Sequence, residues 1–79
     1  MMDIRKEVIK IIVKTLRVNK EQVVDSARFI DDLGADSLNI LELFLAFERK
    51  FNIKIPDEEE GKLTTVGSVI RYFEERGIK

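Results

Sequence analysis

In three separate stretches of this chain, apolar side chains recur every three or four residues. These are Ile4, Val8, Ile11, Ile12 and Leu16; Leu38, Leu41, Phe44, Leu45, Ala46, Phe47 and Phe51; and Val66, Val69, Ile70 and Phe73. That period is the face of an amphipathic helix. The chain has few other means of holding a fold together. It has 79 residues, with no Cys to form a disulfide and no His or Cys to ligate zinc. A domain of this size buries only roughly 60% of the surface its unfolded chain exposes. Stability therefore has to come from helix packed on helix. The reading is all-α and a single domain over residues 1–79, with three main helices, one short helix and a long first loop.

The first helix is expected from Asp3 to about Arg17, with Asp3 as cap or first-turn acid. Residues 18–36 form a long connection, opened by a capped turn at Asn19–Val23 and held down by Val23, Val24, Phe29, Ile30 and Leu33. The second helix is expected from about Ser37 to Phe51, with Asp36 and Ser37 both available as caps. With Ile40 and Leu43 added, it is apolar over more than one stripe. It is either buried on most sides or shows apolar surface to a partner. Phe51–Ile55 alternates like a strand, but Pro56 ends it and no second strand is evident, so an extended connector is expected. Pro56–Glu60 reads as a short helix ended by Gly61, and Thr64 or Thr65 caps a last helix closed by Gly77.

The chemically informative stretch is Asp31-Asp32-Leu33-Gly34-Ala35-Asp36-Ser37-Leu38. It sets a serine hydroxyl at a helix N-terminus after a glycine-containing loop. Unpaired amides and the helix dipole favour negative charge there, which suits a phosphate ester on Ser37. Serine is also an ordinary N-cap, so the pattern alone does not single out a modification. With no His to act as base, a nucleophilic triad is excluded. The chemistry open to Ser37 is attachment and display, and the chain is expected not to be an enzyme.

Leu33-Gly34-Ala35-Asp36-Ser37-Leu38 resembles the prosthetic-group site of acyl carrier proteins. The resemblance continues through Glu42-Leu43, Phe51, Ile55-Pro56-Asp57-Glu58-Glu59 and Lys62-Leu63-Thr64-Thr65-Val66 to Ile70, in order and at matching spacing. It implies a four-helix bundle with a minor third helix. It implies 4'-phosphopantetheine on Ser37, flanked by Asp36 and Leu38 and installed from coenzyme A by a phosphopantetheinyl transferase. The arm's thiol would hold acyl chains as thioesters and present them to enzymes of fatty-acid synthesis and to acyltransferases. Leu41, Phe44, Phe47, Phe51, Ile55, Leu63 and Ile70, with Leu45, are the candidate acyl-pocket residues. Phe47 stands where the family more often has an aliphatic side chain, which suggests a narrower or shorter pocket.

The family is strongly acidic, whereas this chain carries 14 basic and 15 acidic side chains. Net negative charge is confined to residues 25–36 and 52–61, and the two ends are net basic. Asn39 replaces the family's usual Asp, and Arg49 and Lys50 stand at positions that are commonly acidic. Asp36, Leu38, Asn39, Glu42, Leu45, Glu48 and Arg49 are the candidate partner-docking residues, with Ile40 and Leu45 facing outward. Arg49 and Lys50 either narrow the partner set or form solvated pairs within their own helix.

Asp31, Asp32, Asp57, Glu58, Glu59 and Glu60 read as solvated acids, and no metal site is expected. A near-neutral balance argues against nucleic acid. No apolar run reaches the ~18 residues of a membrane span, and a charged N-terminus argues against a secretory signal. A cytoplasmic monomer is therefore expected. Two alternatives stand beside the acyl carrier. One is a carrier of the same fold for aminoacyl, polyketide or specialised lipid cargo. The other is an unmodified helical interaction module.

Overall fold

The computed structural model describes residues 3–78. Four α-helices follow in order: α1 (Ile4–Leu16), α2 (Ser37–Phe51), α3 (Asp57–Glu60) and α4 (Val66–Glu75), with a 3₁₀ turn at Lys20–Gln22. The helix boundaries follow local chemistry. The Asp3 carboxylate accepts the Lys6 N–H at 3.2 Å and starts α1, and Arg17 ends it in the left-handed region at φ 57°. Of the two threonines, Thr65 is the cap of α4: its hydroxyl accepts the Ser68 N–H at 3.2 Å, and the Ser68 hydroxyl accepts the Thr65 N–H at 3.1 Å. The connector expected over Phe51–Ile55 starts later: Phe51 is the last residue of α2, Asn52 ends that helix in the left-handed region at φ 55°, residues 53–56 form the connector, and α3 begins directly after Pro56.

α1 packs against both α2 and α4. Its fully buried residues are Val8 and Ile12, which meet Leu43, Phe44, Phe47 and Phe51 of α2 and Val66, Val69, Ile70, Tyr72 and Phe73 of α4 in one core. The centre is aromatic. Phe73 lies 5.5 Å from Phe47 and 4.7 Å from Phe51, centroid to centroid, and Phe47 meets Phe44 edge-on at 5.8 Å.

The long first loop is tied down rather than loose. Val23, Ala27, Phe29, Leu33 and Ala35 are buried. Phe29 N–H donates to the Thr64 carbonyl at 3.1 Å and Val66 N–H to the Ala27 carbonyl at 3.0 Å, so the loop is stitched to the head of α4. Two expected anchors point the other way: Val24 is 52% and Ile30 62% exposed. Without a regular period in this loop, which apolar residues turn inward depends on the backbone path.

Gly67 marks the closest approach of this loop to α4. Its N–H donates to the Asp25 carbonyl at 2.8 Å, and a Cβ there would stand 3.0 Å from that same oxygen. Asp25 cannot retreat freely, because its carboxylate is paired with Arg5 of α1, with Nη2 to Oδ2 at 3.1 Å. Gly67→Val is expected to force the loop off α4 and lower stability by about 1–3 kcal/mol, read as a shift in the urea unfolding midpoint at unchanged slope.

Polar contacts between elements also correct two expectations. Lys50 pairs across the bundle with Glu7 of α1 at 3.3 Å rather than within its own helix, since it sits on the α1 side of α2. Glu48, expected at the docking surface, is half-buried, and its Oε2 accepts the Ile55 N–H at 2.7 Å. It lies on the flank of α2 that faces the returning connector, where it satisfies an amide that no helix pairs.

Candidate functional site

The loop that delivers Ser37 is built from buried anchors and internal hydrogen bonds. Asp32 closes the turn beneath it, its Oδ2 accepting the Arg28 N–H at 2.8 Å. Gly34 N–H donates to the Ile30 carbonyl at 3.2 Å and Ala35 N–H to the Phe29 carbonyl at 2.9 Å. Gly34 sits at φ 71°, a backbone that a Cβ disfavours, and this bend lets Leu33 and Ala35 both turn inward.

At the helix start the two candidate caps separate. Asp36 is the cap: its Oδ1 accepts the Asn39 N–H at 2.8 Å, and the Asn39 Oδ1 accepts the Asp36 N–H at 3.2 Å. Asn39 is thus part of the platform that holds Ser37, a role its placement among docking residues did not anticipate. Ser37 is the first residue of α2. It is exposed, and its hydroxyl has no hydrogen-bond partner among the described residues. A phosphate ester there would sit at the positive end of a 15-residue helix, next to a loop anchored by the buried Phe29, Leu33 and Ala35. The site therefore fits a phosphate-linked prosthetic group.

Around Ser37 the surface of α2 is apolar and open. Leu38, Leu41 and Leu45 are 63%, 52% and 46% exposed. Leu41 was expected to line an interior pocket; it faces solvent instead, because α2 has more apolar residues than its inward face can take. Ile40, expected outward, packs against the core. Asp36, Leu38, Glu42, Leu45 and Arg49 are all exposed.

A cavity of about 370 Å³ opens between the N-terminal half of α2, residues 28–31 and the stretch after α3. Phe29, Ile30, Ile40, Phe44 and Leu63 supply its apolar wall. Of the expected pocket residues only Phe44 and Leu63 reach it. Phe47, Phe51, Ile55 and Ile70 are buried in the core and do not line the cavity. Phe29 and Ile30 were legible only as loop anchors, and no local signal brings them beside α2. Glu60, at the rim, has its pKa raised, chiefly by partial burial and then by Asp57.

Two carboxylates of the long first loop, Asp25 and Asp32, behave oppositely to Glu60. The Arg28 amide and guanidinium hold Asp32 below the usual 3.8, and Arg5 does the same for Asp25. Both folded-state values are depressed, so these groups stabilise the fold above the unfolded pKa, and their contribution is lost as pH falls through the folded one. Glu60, with a raised value, favours the fold on protonation and offsets part of that loss. The expected result is stability that declines below about pH 4, with a shallower decline in Asp32→Asn, read from urea unfolding between neutral and acid pH.

A bundle with a serine displayed at a helix head, a packed loop beneath it and no histidine anywhere in the chain is a scaffold for a covalently attached group. A family profile described as the phosphopantetheine attachment site matches residues 6–73. A protein of Wolinella succinogenes named acyl carrier protein is 54% identical over 65 residues, covering 82% of this chain and 86% of that one. The chain belongs to the acyl carrier proteins, non-catalytic carriers with a phosphopantetheine attachment site. Among the described residues no helix is long and apolar enough to cross a membrane.

Proposed function

We propose that Ser37 is the residue that carries 4'-phosphopantetheine, and that the chain carries acyl groups on that arm to the enzymes of fatty-acid synthesis and to acyltransferases. The observation that supports this most is the division of labour at the head of α2. Asp36 and Asn39 complete the cap between themselves, which leaves the Ser37 hydroxyl exposed and structurally unused. When bound, the arm supplies a thiol that holds acyl groups as thioesters; the chain itself has no cysteine to compete with it.

The protein's own residues have three tasks in this reading. The packed loop and the α2 dipole hold the attachment point outward and rigid. The exposed Leu38, Leu41 and Leu45, with Asp36, Glu42 and Arg49 beside them, meet the transferase and the partner enzymes. The cavity beside Phe29, Ile40, Phe44 and Leu63 shelters the near part of an acyl chain, at about 0.8 kcal/mol per methylene removed from water. Phe44 forms the inner wall and meets Phe47 edge-on, so a longer chain has to displace the Phe44 ring. Action in the cytoplasm, as a monomer, completes the proposal.

Incubation with coenzyme A and a phosphopantetheinyl transferase, followed by intact mass and peptide mapping, tests the attachment. The expected result is a gain of one phosphopantetheine confined to the peptide containing Ser37. No gain, with a control carrier loaded by the same transferase, would overturn it.

A further inference from the structure

The surface of this nearly neutral protein is not uniform in charge. An open groove of about 920 Å³ runs between the C-terminal half of α1 and the length of α2 from Asn39 to Lys50. Its charged lining is Lys14, Arg17, Arg49 and Lys50 against the single acid Glu42, in a chain whose net charge is -1. Lys50 is answered by Glu7 at 3.3 Å. Lys14, Arg17 and Arg49 form no ion pair with any carboxylate of the described residues. Like charges gathered without internal partners repel one another and gain nothing for the fold. The positive potential they share is directed outward, along a concave surface.

The rest of the groove is suited to a polypeptide. At 100° per residue, Glu42, Ala46 and Arg49 turn toward the groove, while Leu38, Leu41 and Leu45 lie one step further round α2. An aliphatic strip about two turns long therefore runs beside the cationic trough, starting next to Ser37. We propose that this surface docks an acidic amphipathic helix of a partner enzyme, its carboxylates in the trough and its aliphatic side chains on the leucine strip. Such a helix laid in a groove meets both features at once. A flat bilayer would touch only the ridges of α1 and α2. A nucleic acid would find aliphatic side chains, not aromatic platforms, along the trough. That the partner is an enzyme acting on the Ser37 arm rests on the carrier reading; the acidity of the docking helix rests on the groove alone.

The test uses the full chain and a synthetic amphipathic helical peptide with glutamates on one face and leucines on the other. A charge-inverted lysine peptide and phosphatidylglycerol vesicles run in parallel. The expected result is saturable binding of the glutamate peptide that weakens as salt rises, with the lysine peptide and the vesicles bound less well. The Arg17→Glu/Arg49→Glu protein is expected to lose roughly tenfold in affinity, since reversal turns each attraction into repulsion. A charge-matched control, Lys6→Glu/Lys20→Glu, alters two cations outside the groove and is expected to bind like the parent. Circular dichroism of both variants confirms the helical fold. Equal loss in the control, preference for the lysine peptide or the vesicles, or no binding at all would each overturn the proposal. Ser37→Ala is expected to bind the glutamate peptide like the parent, so failure of prosthetic-group attachment and failure of this docking surface are read separately.

Discussion

Replacing Ser37 with alanine is expected to abolish transferase-dependent gain of phosphopantetheine completely, while the unfolding midpoint stays within the equivalent of about 0.5 kcal/mol of the parent. The pairing of these outcomes is what the structure adds. A serine heading a helix is ordinarily the cap, and removing it would cost about 1 kcal/mol. Here the cap is Asp36, bonded to the Asn39 amide at 2.8 Å, and Asn39 answers it. The Ser37 hydroxyl takes no part. Asp36→Ala should therefore show the inverse stability behaviour, a loss of about 1 kcal/mol, with Ser37 still present. Intact mass together with urea unfolding of the two variants checks this. A Ser37→Ala protein that still gains the group, or that unfolds as easily as Asp36→Ala, would show that the roles have been assigned to the wrong residues.

Phe73→Ala is expected to be the most damaging single core change. Phe73 is fully buried and lies within 6 Å, centroid to centroid, of Phe47, Phe51 and Tyr72. Truncation removes its own burial and leaves the three surrounding rings facing a void, at about 3–5 kcal/mol. At 0.05–0.15 kcal/mol per residue, a chain of 79 residues has only about 4–12 kcal/mol in total. The alanine variant should be largely unfolded, or nearly so, at 37 °C. Phe73→Leu keeps most of the volume and should cost less than about 1.5 kcal/mol. Thermal and urea melts of the pair decide it. Equal loss in both would mean that ring geometry, rather than filled volume, holds the centre.

The two predictions draw on different kinds of information. The position of Ser37 was legible from local sequence alone, because Gly34, Asp36 and the start of the apolar period act within a few residues of one another. Which neighbour does the capping was not legible, since Asp36 and Ser37 are both good caps and only the geometry separates them. The buried centre was half legible. Val66, Val69, Ile70 and Phe73 lie on one clear stripe and all are buried. The second helix gave no such direction.

Local order was therefore set by the amino-acid sequence: four helices with their bounds, the caps at Asp3 and at one of two threonines, the connector ended by Pro56, and a serine at a helix head. Each follows from backbone preferences and hydrogen bonds spanning three or four residues. The tertiary structure decided which way α2 faces. Because that helix is apolar nearly all round, its sequence admits several rotations. Packing against α1 and α4 selects the one that buries Phe44, Phe47 and Phe51, turns Ile40 inward and leaves Leu38, Leu41 and Leu45 in water. The same choice aims Glu48 at the Ile55 amide, sends Lys50 across to Glu7 and gathers Lys14, Arg17 and Arg49 along one groove. These are contacts between residues far apart in the chain, and no local period encodes them.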